Sequence, residues 1–146
     1  MNELIIIESL SPEEVCGTIS PIIERYDSNT IHREDGGVYS WQFSSGWSIG
    51  IKSIDVEMAW SKECLSNYLL LNAHIPINKS LTYREVNILN EQNPTLKFIA
   101  GPSKSLIITR AIDFRIGRLA SSFASEVETF IGDAICFVDL YFLTNS

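Results

Sequence analysis

Apolar residues at helical spacing follow two complete helix-start signals. In Ser11-Pro12-Glu13-Glu14 the hydroxyl stands at the N-cap, proline at the first helical position and glutamate at the third, so two otherwise unpaired amide donors are satisfied reciprocally. Leu10 and Val15 occupy the staple positions, and Val15, Ile19, Ile22, Ile23 and Tyr26 form the stripe that follows. Pro21 lacks an amide and clashes within a regular helix, so it stays open whether the helix breaks there, with Ser20-Pro21 starting a second short one. The same device recurs at Thr82-Tyr83-Arg84-Glu85, with Leu81 and Val86 as the staple pair. Asn93-Pro94 stops that helix after about three turns.

Between these helices the period is two. Tyr39, Trp41 and Phe43 alternate with Ser40, Gln42 and Ser44 after the turn-prone Asp35-Gly36-Gly37, which predicts a half-buried strand. Ser45-Gly46 reads as a tight turn, and Trp47, Ile49 and Ile51 continue the alternation. Ile54, Val56, Met58 and Trp60 fall on the opposite parity, so a bulge, bend or turn intervenes near Ser53. Residues 68–77 predict a third strand, with Leu69, Leu71, Ala73, Ile75 and Ile77 on one face and Asn72 and His74 on the other. After the second helix, residues 96–100 and 106–112 flank Gly101-Pro102-Ser103-Lys104, the signature of a hairpin.

Asp113 is placed to cap a last helix whose stripe runs from Ile116 through Leu119, Ala120, Phe123, Val127, Phe130, Ile131, Ala134, Val138 and Tyr141. Arg118, Ser122, Glu126, Glu128 and Asp133 lie outside that stripe. Past Gly132 the helix also carries Ile135, Phe137 and Phe142 and becomes apolar nearly all round, so that end needs a cover. A homodimer interface at Ile135, Phe137 and Phe142 supplies one. The predicted order is α-β-β-β-α-β-β-α, an α+β fold in which one twisted, mainly antiparallel sheet carries helices packed on it.

The 146 residues suit a single domain spanning 1–146. Hydrophobic residues at 45% and charged residues at 20% are ordinary globular usage, so the chain is expected to fold. Eighteen Asp and Glu against eleven Lys and Arg give a net charge of -7, which argues against a nonspecific grip on nucleic acid or an anionic membrane. No membrane span and no signal peptide are predicted, because the apolar run at residues 4–7 is short and flanked by Glu3 and Glu8. A cytoplasmic location is the expectation. Cys16, Cys64 and Cys136 are an odd set without C-x-x-C spacing, fitting reduced cysteines better than a disulfide framework or zinc clip.

Neither metal nor cofactor is expected. His32 and His74 form no H-x-x-x-H pair and have no ligands at metal spacing. Gly46 and Gly50 lack the patterns that cradle phosphate, and Glu13-Glu14 sits where a first helical turn favours carboxylates. One enzymatic reading uses His74 as a base beside Asn72, with Cys64 or a nearby serine as nucleophile, although no nucleophile elbow is present. Trp41, Phe43, Trp47 and Trp60 could stack bases, but the basic residues that hold a nucleic-acid backbone are missing beside them. They are core residues or a partner-binding surface: rings left exposed serve as binding anchors, and buried rings serve stability.

Three strings resemble the superfamily of type III secretion chaperones and YbjN-like proteins. Trp41-Gln42-Phe43-Ser44-Ser45-Gly46-Trp47-Ser48-Ile49-Gly50-Ile51 looks like its first hairpin. Leu69-Leu70-Leu71-Asn72-Ala73-His74-Ile75-Pro76-Ile77 is similar to its third strand, and Val86-Asn87-Ile88-Leu89-Asn90-Glu91-Gln92-Asn93 to its second helix. The resemblance spans roughly residues 12 to 142 at the level of pattern. It implies a non-enzymatic protein-binding module, often a homodimer, that holds a segment of another protein as a chaperone or adaptor. An immunity-type inhibitor of a basic effector or toxin is the alternative, since it too is small and acidic.

Overall fold

A computed structural model describes residues 6–54 and 60–145, with side chains through Tyr141. Its elements run β1 (Ile6–Ile7), α1 (Pro12–Tyr26), β2 (Ile31–Asp35), β3 (Val38–Gln42), β4 (Ser48–Ser53), β5 (Tyr68–Pro76), α2 (Tyr83–Gln92), β6 (Lys97–Gly101), β7 (Ser105–Asp113), β8 (Arg118–Leu119) and α3 (Ala120–Asn145). The fold is α+β, and the predicted α-β-β-β-α-β-β-α order is present. To it are added the edge strand β2 and a two-stranded ribbon, β1 with β8. The main sheet is antiparallel throughout, with six strands in the order β2-β3-β4-β5-β7-β6.

Both capping boxes form. Ser11 N–H donates to Glu14 Oε1 at 2.9 Å while Glu14 N–H donates to Ser11 Oγ at 3.3 Å. Thr82 and Glu85 repeat the exchange at 3.1 and 3.2 Å. α1 runs unbroken through Pro21, which resolves the open question of a second helix. Pro21 and Gly17 both lie on the exposed side, so the carbonyl that Pro21 leaves without an amide donor faces water.

Register explains the core. Trp41, Ile49, Ala73, Ile108 and Phe98 align across β3, β4, β5, β7 and β6, and all are buried. One residue along, the aligned row is Ser40, Gly50, Asn72, Thr109 and Lys97, which is polar or small, so the sheet has one dry face and one wet face. α1 and α3 cover the dry face. Ile19, Ile22 and Ile23 of α1 and Phe123, Val127, Phe130 and Ile131 of α3 are buried in the same cluster. α2 lies along β6 and buries Val86.

Other expectations change. The last helix begins at Ala120 rather than behind an Asp113 cap, because Asp113 ends β7 and its carboxylate instead accepts from the Arg115 amide at 2.9 Å. Gly117 at φ 83 then reverses the chain into β8, a conformation that strongly favours glycine. The parity change near Ser53 coincides with the end of β4, where the Ile54 N–H donates to the Tyr68 carbonyl at 2.8 Å. Val56 and Met58 lie outside the described residues. Among the described residues no helix is long and apolar enough to cross a membrane.

Candidate partner-binding surfaces

The four aromatics assigned to partner binding are all buried: Trp41 is 1% exposed, Phe43 6%, Trp47 3% and Trp60 2%. This corrects their use as an exposed binding surface. Trp41 Nε1–H donates to Ser20 Oγ at 3.0 Å and ties β3 to α1; Trp60 Nε1–H donates to the Leu10 carbonyl at 2.9 Å. Phe43 and Trp47 stack 4.2 Å apart across the β3–β4 turn. Trp41, Phe43 and Trp47 follow the alternation of the sheet's dry face, whereas Trp60 lies outside the strands and is held by its bond to Leu10.

The assigned dimer residues do not form one patch either. Phe137 packs on Phe98, with centroids 4.8 Å apart, and lines a groove between α2 and α3. Ile135, about 200° away on the helix, lines a different hollow beside Tyr26, Phe43 and Trp47. Both are half-buried, and the Phe142 side chain lies outside the described residues.

His74 and Asn72 share the wet face of β5, as expected. Cys64 precedes that strand at its other end, and β5 rises about 20 Å from Tyr68 to His74. The proposed base and thiol are not brought together. Cys16 is no better a nucleophile, because burial and then Glu13 push its thiol up to about 11. His32 stacks on Trp41 with centroids 4.6 Å apart and lies with Nδ1 3.0 Å from the Ser40 carbonyl oxygen. Among the described residues no group of three potential ligands could hold a metal ion.

Two surfaces remain. The α2–α3 groove, about 500 Å³, is lined by Leu81, Ile88, Leu89, Phe137, Leu140 and Tyr141. Leu140 is 62% exposed and Ile88 42%. Lys79 and Glu85 close its rim as an ion pair. Lys79, together with the Thr82 amide, holds the Glu85 carboxyl down at about 2, so the capping carboxylate stays ionised well into acid.

The second surface is a sheet edge, and the two edges differ. On β6 the outward backbone groups of Phe98 are taken by one side-chain amide: Phe98 N–H donates to Asn90 Oδ1 at 2.8 Å, and Asn90 Nδ2–H donates to the Phe98 carbonyl at 3.1 Å. Asn90 thus occupies the place of a neighbouring strand's peptide. On β2 nothing comparable exists among the described residues. Gly36 and Gly37, at φ 60 and 85, make a two-residue turn. Such a turn makes Asp35 and Val38 a hydrogen-bonded pair, so by alternation the N–H and C=O of His32 and Glu34 point away from β3. All five β2 residues are exposed.

Sequence reasoning missed both features. Asn90 reads only as part of a helix-ending polar run, and β2 carries no apolar alternation. No family model matches this chain, and no curated protein or solved structure matches it.

Proposed function

We propose that this chain is a non-enzymatic protein-binding module of chaperone or adaptor type, which takes an extended segment of its partner as an added strand along β2. The observation that carries the reading is the difference between the edges: β6 is closed by Asn90, whereas among the described residues nothing pairs the outward backbone of His32 and Glu34 on β2. The strings that resemble secretion chaperones and YbjN-like proteins support the same reading. Glu34 beside the added strand, and the net charge of -7, favour a basic segment.

Glu34→Pro tests this directly. The Glu34 N–H faces outward, so proline removes a donor the partner needs and none that β3 uses. Short peptides selected from a displayed library against the wild-type chain should shift the His32 and Glu34 amide signals on binding. Glu34→Pro also gives up the bond its carboxylate accepts from the Gly37 N–H at 3.0 Å, so it should melt slightly below wild type, stay folded at the assay temperature and lose that binding. Selected peptides that bind the folded variant as tightly as wild type would place the site elsewhere.

We propose also that a second copy covers the α2–α3 groove, since exposed Leu140 and Ile88 continue its apolar lining across two helices. Sedimentation at micromolar concentration should then give twice the 16.4 kDa chain mass, and Leu140→Asp the monomer. A wild-type monomer sinks the idea.

A further inference from the structure

Alternation along β7 turns Leu106, Ile108, Arg110 and Ile112 toward the helices, and all but Arg110 are buried apolar residues. A guanidinium therefore stands in a core-facing row, directly across from Leu71. Its Nε–H donates to Glu126 Oε2 on α3 at 2.6 Å, while Arg118, from β8, donates to Oε1 of the same carboxylate. The Glu126 side chain is only 14% exposed, with Arg118 at 26% and Arg110 at 40%.

Two guanidinium groups share one carboxylate, which leaves one positive charge in excess at a partly dehydrated position. One arginine would be enough to neutralise Glu126, so the second is not explained by pairing alone. Asp113, on which Arg118 also acts, is itself engaged by the Arg115 fork at 2.9 and 2.8 Å. Each guanidinium has five N–H donors, and Glu126 takes only one from each. Both arginines border a hollow of about 470 Å³ whose remaining wall is Ser122, Ser125, Thr129 and Glu126, the last with both carboxylate oxygens already taken by the two guanidinium groups. Ser122, Ser125 and Thr129 lie on one stripe of α3 at i, i+3 and i+7, and all three residues are exposed.

We infer that this hollow is a binding site for a phosphate-type oxyanion, either free phosphate or the phosphate group of a small ester. Planar guanidinium forks match the oxygen edges of phosphate bidentately, and hydroxyl donors complete the shell around the remaining oxygens. The site is independent of partner binding at β2, which lies at the far edge of the sheet from β7. Here an acidic chain concentrates positive charge and donors in a hollow, so the attraction is local.

The test follows the arginine Nε–H signals of the intact protein by NMR during titration with inorganic phosphate, with glycerol phosphate, and with chloride at matched ionic strength. Arg110 and Arg118 should shift saturably with a phosphate source and not with chloride. Arg118→Gln should weaken binding about tenfold or more, the scale of a lost charge-assisted contact. Ser122→Asp supplies an internal carboxylate in the first turn of α3, where it suits the helix dipole, and should abolish binding while the chain stays folded. Tighter binding of glycerol phosphate identifies an ester as the ligand, and equal or weaker binding identifies free phosphate. The site is refuted if chloride reproduces the shifts, if neither phosphate source produces them, or if folded Ser122→Asp binds like wild type.

Discussion

Trp41→Ala should lower stability by about 3–5 kcal/mol, the range for deleting a large buried ring. That is a large share of the roughly 5–15 kcal/mol that holds a domain of this kind together. The ring is 1% exposed at the β3 end of the row that runs to β6, between His32 on β2 and Ile49 on β4, so neighbours on both sides of its strand lose contacts at once. Its loss also strands Ser20 Oγ on α1 and removes the surface on which His32 stacks. Trp60 allows a finer test. Trp60→Ala should cost a similar amount, whereas Trp60→Phe keeps most of the ring volume and should cost about 1 kcal/mol. The difference is the ring volume that phenylalanine keeps; the lost Nε1–H costs little in either variant, because the Leu10 carbonyl that accepts from Trp60 also accepts from the Ser66 amide at 3.0 Å. Urea denaturation at constant slope reads all three variants. An unchanged midpoint for Trp41→Ala would contradict its place in the core.

The elements with the strongest physical signals were legible in the sequence. Both capping boxes formed, because a hydroxyl, a short spacing and a glutamate specify the cap locally, with no help from tertiary contacts. The faces of β5 were legible for a similar reason, since strict alternation over nine residues admits one register. β2 was not, because Ile31-His32-Arg33-Glu34-Asp35 lies at an edge with every side chain exposed, and its pairing is fixed by the glycine turn rather than by burial. Exposure of the four aromatics was out of reach as well: alternation separates two faces without saying which one the helices cover. Arg110 did leave a trace, as the one charged residue in the parity of Leu106, Ile108 and Ile112. Read as an interruption that a core does not tolerate without a partner, it points to a charge on the facing helix, which Glu126 supplies.

Asn90→Ala should cost about 2 kcal/mol and open the second edge of the sheet. Phe98 is 1% exposed, and its N–H and C=O would lose their partners together, each at a cost of about 1–3 kcal/mol where water cannot replace the amide and less where it can. The exposed pair would then make β6 competent to add a strand, so light scattering should show assemblies larger than wild type that grow with concentration. Asn90→Asp separates the two halves of the interaction. Its carboxylate still accepts from the Phe98 N–H but faces the Phe98 carbonyl oxygen, so the ionised form is disfavoured and its pKa in the folded state rises above the ordinary value. A group raised in this way contributes stability below its unfolded pKa and loses it as pH climbs through the folded one. Asn90→Asp should therefore grow more stable relative to wild type as pH falls from neutral toward 4, while Asn90→Ala should show no such trend. Equal pH profiles for the two variants, together with unchanged assembly size, would mean that the side-chain amide does not close this edge.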